Sequence, residues 1–264
     1  MKIISDIQYA NISQSQKLDL YLPESIDNEE IPLIFFIHGG GFSKGDKTKG
    51  KINAFLRFVD KKYIIASTNY RLSGEAGFPA GIEDCKNALS FLIANSKKYR
   101  IDPTKVAIVG TSSGGNYALM LGLDKSLISK FEKKCVVALY PVTDLLALKN
   151  IANNLKNDNP TKAYMVKNSE MYFNKKFSNI SAEELKLASP LYNLTKDLPY
   201  TLLQHGTADD VSPISQSKEF YEKALKLRIE IEFDVFKNAK HNDEVFETFK
   251  NMGRIFGFIK NSLA

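Results

Sequence analysis

"AIVGTSSGGNYALML", from Ala107 to Leu121, is the stretch that decides the fold. It opens with an apolar, β-branched run, which predicts a buried strand, and its second half has helical character. Between the two elements, Gly110 to Gly114 fit the pattern G-x-S-x-G. In a sharp turn from strand to helix this pattern exposes the central side chain, because the flanking glycines let the two elements approach closely. The central residue is Ser112, and we predict that its hydroxyl points out of the sheet edge.

Ser112 also has a purely structural interpretation, in which it or Ser113 is the N-cap of the following helix. A chemical role requires more, because a serine hydroxyl is a weak nucleophile near neutral pH and needs a base held by a carboxylate. The sequence has three histidines, which are His38, His205 and His241. In an architecture with this turn, the chain order is serine, acid, histidine. Only His241 follows the serine with a strand-end carboxylate shortly before it, so His241 is the predicted base.

The acid is expected at the end of the strand that precedes His241. The stretch "HGTADDVSP" offers Asp209 and Asp210 at that place. Asp209 is the first choice, since it lies about one turn beyond the strand end and shortly before Pro213. Asp210 stays as an alternative. So does Asp144, which follows another strand but can instead cap the next helix.

A glycine run supplies a further part of such a site. "HGGGF" starts at His38, directly after a predicted buried strand. Consecutive glycines leave backbone N–H groups open toward a substrate oxygen, where they stabilise negative charge as an oxyanion hole. We predict that Gly40 and Gly41, with Gly39 as an alternative, act there together with the backbone N–H of Ser113. The nucleotide-binding patterns G-x-x-x-x-G-K-[ST] and G-x-G-x-x-G do not occur in the sequence, so nucleotide binding is unsupported.

Strands and helices alternate along the rest of the chain, judged by hydrophobic periodicity. Strands are predicted at 17–23 (exposed and antiparallel), 31–37, 63–70, within 101–110, and at 134–142, 200–206 and 229–236. Helices are predicted at 51–62, 78–99, 113–123, 212–226 and 243–263. This alternation indicates an α/β fold with a mainly parallel sheet covered by helices on both faces. The polar, weakly helical stretch 144–186 interrupts it. We expect a single domain over residues 1–264 with a small helical insertion at 144–186 lining the pocket.

Composition places limits on partners and location. The chain has 264 residues and a formal net charge of +6, but its lysines are scattered and no aromatic-basic stacking motif accompanies them. A solvated basic surface is therefore favoured over nucleic-acid binding. No apolar run reaches the length of a membrane span, and the first residues lack the apolar segment of a signal peptide. We expect a cytoplasmic protein, with a homodimer left open.

The two cysteines, Cys85 and Cys135, lie outside any Cys/His cluster. A metal site is therefore not indicated, and no cofactor is predicted. Cys85 falls on a predicted helix and Cys135 opens a predicted strand, which favours two buried free thiols over a disulfide.

These motifs resemble those of α/β-hydrolase esterases with an HGGG oxyanion loop, near the hormone-sensitive-lipase-like and the feruloyl and acetyl-xylan esterase-like branches. The resemblance extends from about Leu18 to the end of the chain. It rests on "HGGGFSKGDK" (38–47), "NYRLSGEAGFPAGIEDCKNALSFL" (69–92), "IDPTKVAIVGTSSGGNYALML" (101–121) and "LLQHGTADDVSPISQS" (202–217). It implies an α/β-hydrolase fold with an eight-stranded sheet. It also implies an acyl-enzyme mechanism, with Ser112 as nucleophile, His241 as base and Asp209 as acid.

Two residues depart from the hormone-sensitive-lipase-like pattern. Thr111 precedes the nucleophile where that branch usually has an acidic residue, and Ser113 follows it where alanine is usual. The second change leaves the backbone N–H in place, so we expect it to be harmless to catalysis. The N-terminal region is also short, and the large helical cap of that branch is expected to be absent.

The resemblance implies a carboxylesterase that acts on short-chain acyl esters, among them acetylated or feruloylated carbohydrates. An aryl-formamidase-type amidase is the alternative enzyme, because the same triad serves both reactions. A peptidase is less favoured, and a binding protein on a hydrolase fold is the non-enzyme alternative. We expect a small-molecule ester as the partner. We also expect an apolar pocket built from Phe42, Tyr70, Phe78 and residues of 144–186.

Overall fold

The computed structural model describes residues 1–25 and 29–264. Its strands are β1 (Lys2–Gln8), β2 (Lys17–Leu22), β3 (Ile31–Ile37), β4 (Ile64–Thr68), β5 (Ile101–Thr111), β6 (Lys133–Leu139), β7 (Tyr200–Gly206) and β8 (Ile231–Phe236). Its α-helices are α1 (Ile52–Phe55), α2 (Ala80–Ala94), α3 (Ser96–Tyr99), α4 (Ser113–Leu123), α5 (Lys125–Ile128), α6 (Leu145–Asn154), α7 (Pro160–Phe173), α8 (Ala182–Leu187), α9 (Pro190–Asn193), α10 (Ser215–Lys226) and α11 (Phe249–Ser262). Short 3₁₀ segments lie at Leu56–Lys61, Phe177–Asn179 and Glu244–Glu247.

The strands form one eight-stranded sheet in the order β1-β2-β4-β3-β5-β6-β7-β8. β2 runs antiparallel to both of its neighbours, and all the other neighbouring pairs are parallel. This confirms the prediction of a mainly parallel sheet with an antiparallel strand near 17–23. The prediction that this strand is exposed is wrong, because β2 lies between β1 and β4 and its side chains from Leu18 to Leu22 are buried. The sequence prediction misses β1, an edge strand whose pairing with β2 shifts register between Ile4 and Ile7. Such a shift interrupts the regular alternation by which a strand is recognised.

The core lies on both faces of the sheet. Successive side chains of a strand point to opposite faces. In β3, Leu33 and Phe35 belong to one buried cluster, while Ile34 and Phe36 belong to the other. The first cluster includes side chains of α2, α4 and α10, and the second includes those of α1 and α11. Helices therefore cover both faces, and the carboxyl ends of the parallel strands share one edge, where ligands of such sheets bind.

Three of the predicted helices are divided in the structure. The helix predicted at 78–99 consists of α2 and α3, which separate at Asn95, where φ is −106° and the backbone leaves the helical region. The helix predicted at 51–62 consists of α1 and a 3₁₀ segment that ends at Lys62 in a left-handed conformation, with φ at 63°. The helix predicted at 243–263 consists of the 3₁₀ segment Glu244–Glu247 and α11, which separate at Thr248, where ψ is 151°. All three divisions follow from local backbone conformations that hydrophobic periodicity does not report.

The stretch 144–186 is more helical than its polar composition predicts. It contains α6, α7 and most of α8. The side chains of Asp144, Asn159 and Ser181 each accept a hydrogen bond from a backbone N–H in the first turn of one of these helices. Such N-caps compensate for weak amphipathic patterning, because they satisfy donors that a helix leaves unpaired at its start.

Both cysteines are buried and carry free thiols. Within residues 1–25 and 29–264, none of the helices combines the length and the apolar character that a membrane span requires. In the same described part of the chain, no three His, Cys, Asp or Glu side chains are grouped as metal ligands.

Candidate active site

Ser112 occupies a strained turn between β5 and α4. Its φ of 54° and ψ of −119° lie outside the helical and extended regions, a conformation that costs energy for a residue with a side chain. The turn needs glycine at its flanks. A Cβ on Gly110 would lie 2.0 Å from the carbonyl oxygen of Gly114, and one on Gly114 would lie 2.3 Å from that of Ile37. The Ser112 side chain makes no capping hydrogen bond to α4, which argues against its interpretation as a plain N-cap.

Three residues singled out from the sequence meet in one chain of hydrogen bonds. The Ser112 hydroxyl lies 2.9 Å from Nε2 of His241, and Nδ1 of His241 lies 2.7 Å from Oδ2 of Asp209. An ionised carboxylate can only accept a hydrogen bond, so Nδ1 carries the proton and the Nε2 lone pair faces the serine hydroxyl. This neutral tautomer is the one that can remove a proton from Ser112.

Asp209 is buried and hydrogen-bonded at both of its carboxylate oxygens. Its Oδ1 accepts from the backbone N–H groups of Val211 and Ser212, at 3.0 and 2.8 Å. Its Oδ2 accepts from Nδ1 of His241 and from Nε2 of His205, at 2.7 and 3.1 Å. Burial opposes ionisation of Asp209, but the hydrogen bonds from His205 and His241 outweigh it and lower the pKa of Asp209 to about 2. The carboxylate therefore stays charged at neutral pH beside the His241 ring.

His205, the other histidine that follows Ser112 in the chain, supports the acid instead of contacting the serine. It is fully buried, with Nε2 at 2.7 Å from the carbonyl oxygen of Ser212 and Nδ1 at 2.8 Å from the hydroxyl of Ser217. Because a carbonyl oxygen only accepts, Nε2 carries the proton and donates toward both Ser212 and Asp209. Sequence reasoning missed this role. The available signal was a histidine at a strand end, four positions before Asp209.

Two further residues that sequence reasoning did not single out hold the loop of His241. The ring of Tyr140 contacts the His241 ring edge to face, with centroids 4.8 Å apart, and its hydroxyl donates to Oδ1 of Asn242 at 2.9 Å. The buried Nζ of Lys51 donates to the carbonyl oxygens of Asn242 and the next residue, at 3.2 and 3.1 Å, and pairs with Glu247. No local pattern could mark Lys51, because it lies 191 positions from Asn242 in the chain.

The loop after β3 that contains Gly39, Gly40 and Gly41, which we call the glycine loop, presents free backbone N–H groups beside Ser112. Among the residues that the structure describes, none accepts a hydrogen bond from the N–H of Gly40, Gly41 or Ser113. Gly40 has φ at 131° and Gly41 at 62°, conformations that favour glycine. A Cβ on Gly40 would also lie 1.9 Å from the carbonyl oxygen of Lys44. Free N–H groups next to a nucleophile can stabilise an oxyanion that forms there.

His38 and Tyr70 support this loop from the side of the core. Their rings stack with centroids 4.5 Å apart, and the Tyr70 hydroxyl donates to the carbonyl oxygen of His38 at 2.9 Å. Burial lowers the pKa of His38, so its ring stays neutral, and Nδ1 donates to the carbonyl oxygen of Gly39 at 2.8 Å. The prediction that Tyr70 lines the substrate pocket is wrong, because its buried ring does not belong to the described lining of either cavity at Ser112.

Other residues considered in the sequence analysis lie outside this arrangement. Asp210 is exposed. Asp144 caps α6, where its Oδ1 accepts a backbone N–H at 2.9 Å, as its structural interpretation predicts. Phe78 packs against Phe173 and lines a separate surface cavity, so its predicted place in the pocket at Ser112 is wrong. Phe42, Tyr70 and Phe78 are spread over more than 30 positions, and the sequence does not report which cavity or core cluster each ring joins.

Two cavities of different character meet at Ser112. The first, which we call the polar cleft, has a volume of about 450 Å³ and is lined by Ser112, His241, Asn242, Lys44, Asp46, Lys49 and Lys51, among others. The second, which we call the apolar pocket, has a volume of about 60 Å³ and is lined by Ser112, Phe42, Val142, Leu145, Leu148, Met165 and Tyr172, among others. Tyr164 and Gly41 line both cavities. The apolar pocket combines Phe42 with residues of 144–186, as expected from the sequence.

This eight-stranded, mainly parallel sheet, with a serine at a strand-to-helix turn and an acid and a histidine after later strands, defines an α/β-hydrolase fold. The model of the BD-FAE family matches residues 18–224, which is most of the chain. The chain belongs to the BD-FAE family.

Relatives of the chain include proteins named as esterases. It is 23% identical over 212 residues to esterase LipC and 25% identical over 228 residues to the probable carboxylic ester hydrolase LipM, both from Mycobacterium tuberculosis. These alignments cover 79% and 83% of this chain, but 52% and 51% of the two relatives. The chain thus spans about half the length of these relatives.

Solved structures share the fold over nearly all of this chain. A truncated carbohydrate esterase from gut microbiota superposes with a TM-score of 0.82 at 23% identity, covering 99% of this chain and 96% of that one. The bifunctional GH43-CE protein of Bacteroides eggerthii superposes with a TM-score of 0.82 at 26% identity, covering 99% of this chain and 35% of that one. Butyrate-bound Est2, an esterase of Thermogutta terrifontis, has a TM-score of 0.74 at 20% identity, covering 97% and 93%. The predicted α/β-hydrolase fold is confirmed.

Proposed function

We propose that this chain is a serine carboxylesterase that hydrolyses esters of short acyl chains, with acylated carbohydrates as candidate substrates. The observation that carries the proposal is the continuous hydrogen-bonded chain from Ser112 through His241 to Asp209. The free N–H groups of the glycine loop beside it support the same reaction. So do the names of the relatives, which include esterases and a carbohydrate esterase.

The proposed reaction follows the roles that the geometry allows. Oγ of Ser112 attacks the ester carbonyl carbon while Nε2 of His241 takes the hydroxyl proton, and Asp209 stabilises the resulting imidazolium. The carbonyl oxygen becomes negative and accepts hydrogen bonds from Ser113 and the glycine loop, each worth about 3 kcal/mol in the transition state. The C–O bond then breaks, His241 returns the proton to the departing alcohol oxygen, and the acyl group stays on Ser112. Water deprotonated by the same ring releases the acid.

The two cavities indicate the direction in which an ester binds. The alcohol oxygen must lie within hydrogen-bonding reach of Nε2 of His241 to receive its proton. His241 lines the polar cleft and is not among the residues described as lining the apolar pocket. We therefore place the alcohol part in the polar cleft and the acyl chain in the apolar pocket. A cleft of about 450 Å³ has room for a hydroxyl-rich group such as a sugar, whereas about 60 Å³ suits a short chain.

The segment between β6 and β7 supplies the wall of the acyl side in this proposal. Leu145 and Leu148 of α6 and Met165 of α7 line the apolar pocket. We propose that the chain forms a single domain over residues 1–264, in which the insertion at 144–186 sets the acyl length that is accepted.

The proposal is tested by hydrolysis of p-nitrophenyl acetate, butyrate and octanoate. We expect kcat/KM for acetate and butyrate to exceed that for octanoate by about 10-fold or more, because several methylenes would have no place in the pocket. A fluorophosphonate probe should label the protein covalently. Absence of both ester hydrolysis and labelling would contradict the enzyme proposal and favour the binding protein. Turnover of an N-formyl aryl amide without ester turnover would favour the amidase.

Widening the apolar pocket is expected to shift this chain-length preference. In Met165→Ala, the buried side chain that lines the pocket is removed, so the octanoate-to-acetate ratio of kcat/KM should rise about 10-fold. Met120→Ala is the matched control, because Met120 lines a different cavity. An unchanged ratio in Met165→Ala, or an equal rise in both variants, would contradict the placement of the acyl chain.

A further inference from the structure

We propose that the alcohol part of the substrate carries an anionic group, a carboxylate or a phosphate, that binds Lys44 and Lys49 in the polar cleft. The inference rests on the proposed esterase function, since it concerns the alcohol side of that same site. It specifies the charge of the alcohol part of the substrate, which the ester-hydrolysis mechanism does not determine.

Some charged side chains of the polar cleft already have hydrogen-bond or ion-pair partners within the protein, and others do not. Three lysines and Asp46 line it. Lys51 already has partners, because its buried ammonium group pairs with Glu247 and donates to two backbone carbonyl oxygens. Both carboxylate oxygens of Asp46 are also occupied. Its Oδ1 accepts from the backbone N–H and the hydroxyl of Thr48, at 2.8 and 2.5 Å, and its Oδ2 accepts from Asn69 at 3.0 Å.

Lys44 and Lys49 are the two cleft lysines without such partners. Both side chains are exposed, and no carboxylate in the part of the chain that the structure describes lies within salt-bridge distance of either ammonium group. Their two positive charges are therefore available to a ligand and exceed the single negative charge of Asp46, whose carboxylate oxygens already accept hydrogen bonds from Thr48 and Asn69. A cleft with this imbalance attracts anions and raises their local concentration.

The segment that carries both lysines is anchored, so their positions follow from the fold. Between them, the buried Nζ of Lys47 lies 2.9 Å from a carboxylate oxygen of Asp19 and 3.1 Å from one of Asp6. The carbonyl oxygen of Lys47 accepts from the hydroxyl of Ser67 in β4 at 2.7 Å. On either side of this anchor, the backbone N–H of Lys44 donates to the carbonyl oxygen of Gly40 at 3.2 Å and that of Lys49 to the carbonyl oxygen of Asp46 at 3.0 Å. Only the outer parts of the Lys44 and Lys49 side chains remain to be ordered by a ligand.

The position of these charges assigns them to the alcohol and not to the acyl group. The alcohol part lies on the side of His241, and His241 shares the polar cleft with both lysines. The described lining of the apolar pocket contains no charged side chain. An anionic acyl chain in the apolar pocket would therefore have no positively charged side chain beside it, whereas an anionic alcohol in the polar cleft would have Lys44 and Lys49.

Three acetyl esters that share the same aromatic skeleton test the proposal, with hydrolysis measured as the acetate released. 4-Acetoxybenzoate and 4-acetoxyphenyl phosphate are anionic, and methyl 4-acetoxybenzoate is neutral. The ratio of kcat/KM for an anionic ester to that for the neutral one is compared between proteins, so that the intrinsic reactivity of each ester cancels. In Lys44→Met/Lys49→Met we expect this ratio to fall about 10-fold for at least one anionic ester, at roughly 2- to 5-fold per lysine. In the unmodified protein, the ratio of kcat/KM for an anionic ester to that for the neutral ester should fall when sodium chloride is added, because the salt screens the charges.

The matched control is Lys61→Met/Lys97→Met, which removes the same net charge from exposed lysines outside the cleft lining. Its ratios should stay within about 2-fold of those of the unmodified protein. Ratios that are unchanged in the cleft variant for both anionic esters, or that fall equally in the control, would overturn the proposal. Retained hydrolysis of the neutral ester in that case would leave the esterase proposal standing. Failure of the unmodified protein to hydrolyse any of the three would instead contradict the esterase function itself.

Discussion

In Ser112→Ala, kcat for p-nitrophenyl acetate is expected to fall by roughly 10⁶-fold. The proposed mechanism has no second nucleophile. The hydroxyl removed is the one that lies 2.9 Å from Nε2 of His241, and the acyl-enzyme cannot form without it. Residual hydrolysis should not drop to the rate in water, because the free N–H groups beside Ser112 still stabilise an oxyanion formed by attack of water.

The control for this variant is a serine replaced far from the site. Ser129→Ala changes an exposed residue at the end of α5 and should leave kcat within about 2-fold. Thermal unfolding of both variants should match that of the unmodified protein, since neither side chain is part of the core. Fluorophosphonate labelling should be lost in Ser112→Ala alone. Activity that survives in Ser112→Ala would show that the turn at Gly110 to Gly114 does not hold the nucleophile.

In Asp209→Asn, kcat at neutral pH is expected to fall by about 10⁴-fold. Asp209 accepts four hydrogen bonds, two at each oxygen, from His205, His241 and two backbone N–H groups. An amide has a single oxygen, so two of these donors must face an NH₂ group whichever way the side chain turns. If the NH₂ faces His241, it favours the tautomer with the proton on Nε2, which cannot accept the proton of Ser112.

Asp210→Asn is the matched control for this prediction. Asp210 is the neighbouring acid and is exposed, so its replacement should change kcat by less than about 2-fold. Asp209→Asn should also lower the free energy of unfolding by about 1–3 kcal/mol, because it leaves buried donors unsatisfied. A large activity loss in Asp210→Asn with little effect in Asp209→Asn would reverse the assignment of the acid.

Most of the residues that the structure brings together could be found from the sequence, because each follows a strand and few other residues of the same type occupy such a position. G-x-S-x-G marks Ser112 through its glycines, which the close contacts at Gly110 and Gly114 require. With three histidines in the chain, His241 follows from the order of the elements. The place of Asp209 beyond the strand end and shortly before Pro213 favours it over Asp210, and the structure places Asp209 against His241.

The residues that sequence reasoning missed act through long-range contacts. Lys51 and Tyr140 hold the loop of His241, and His205 donates to Asp209 from within the core. A lysine in a basic, polar stretch is typical of a solvated surface, so burial of Lys51 has no local signal. Tyr70 shows the opposite error, since the sequence analysis expects its ring in the substrate pocket, whereas in the structure the ring is buried and stacks on His38.

The sequence by itself determined the alternation of strands and helices from β2 onward, the sharp turn at Ser112 and the set of side chains at strand ends. These depend on hydrophobic periodicity and on glycine positions, which are properties of short segments. Only the tertiary structure decided the tautomer of His241, the second histidine on Asp209 and the division of the site into a polar cleft and an apolar pocket. These depend on contacts between residues far apart in the chain, whose distances are set by how the helices and loops pack on the sheet.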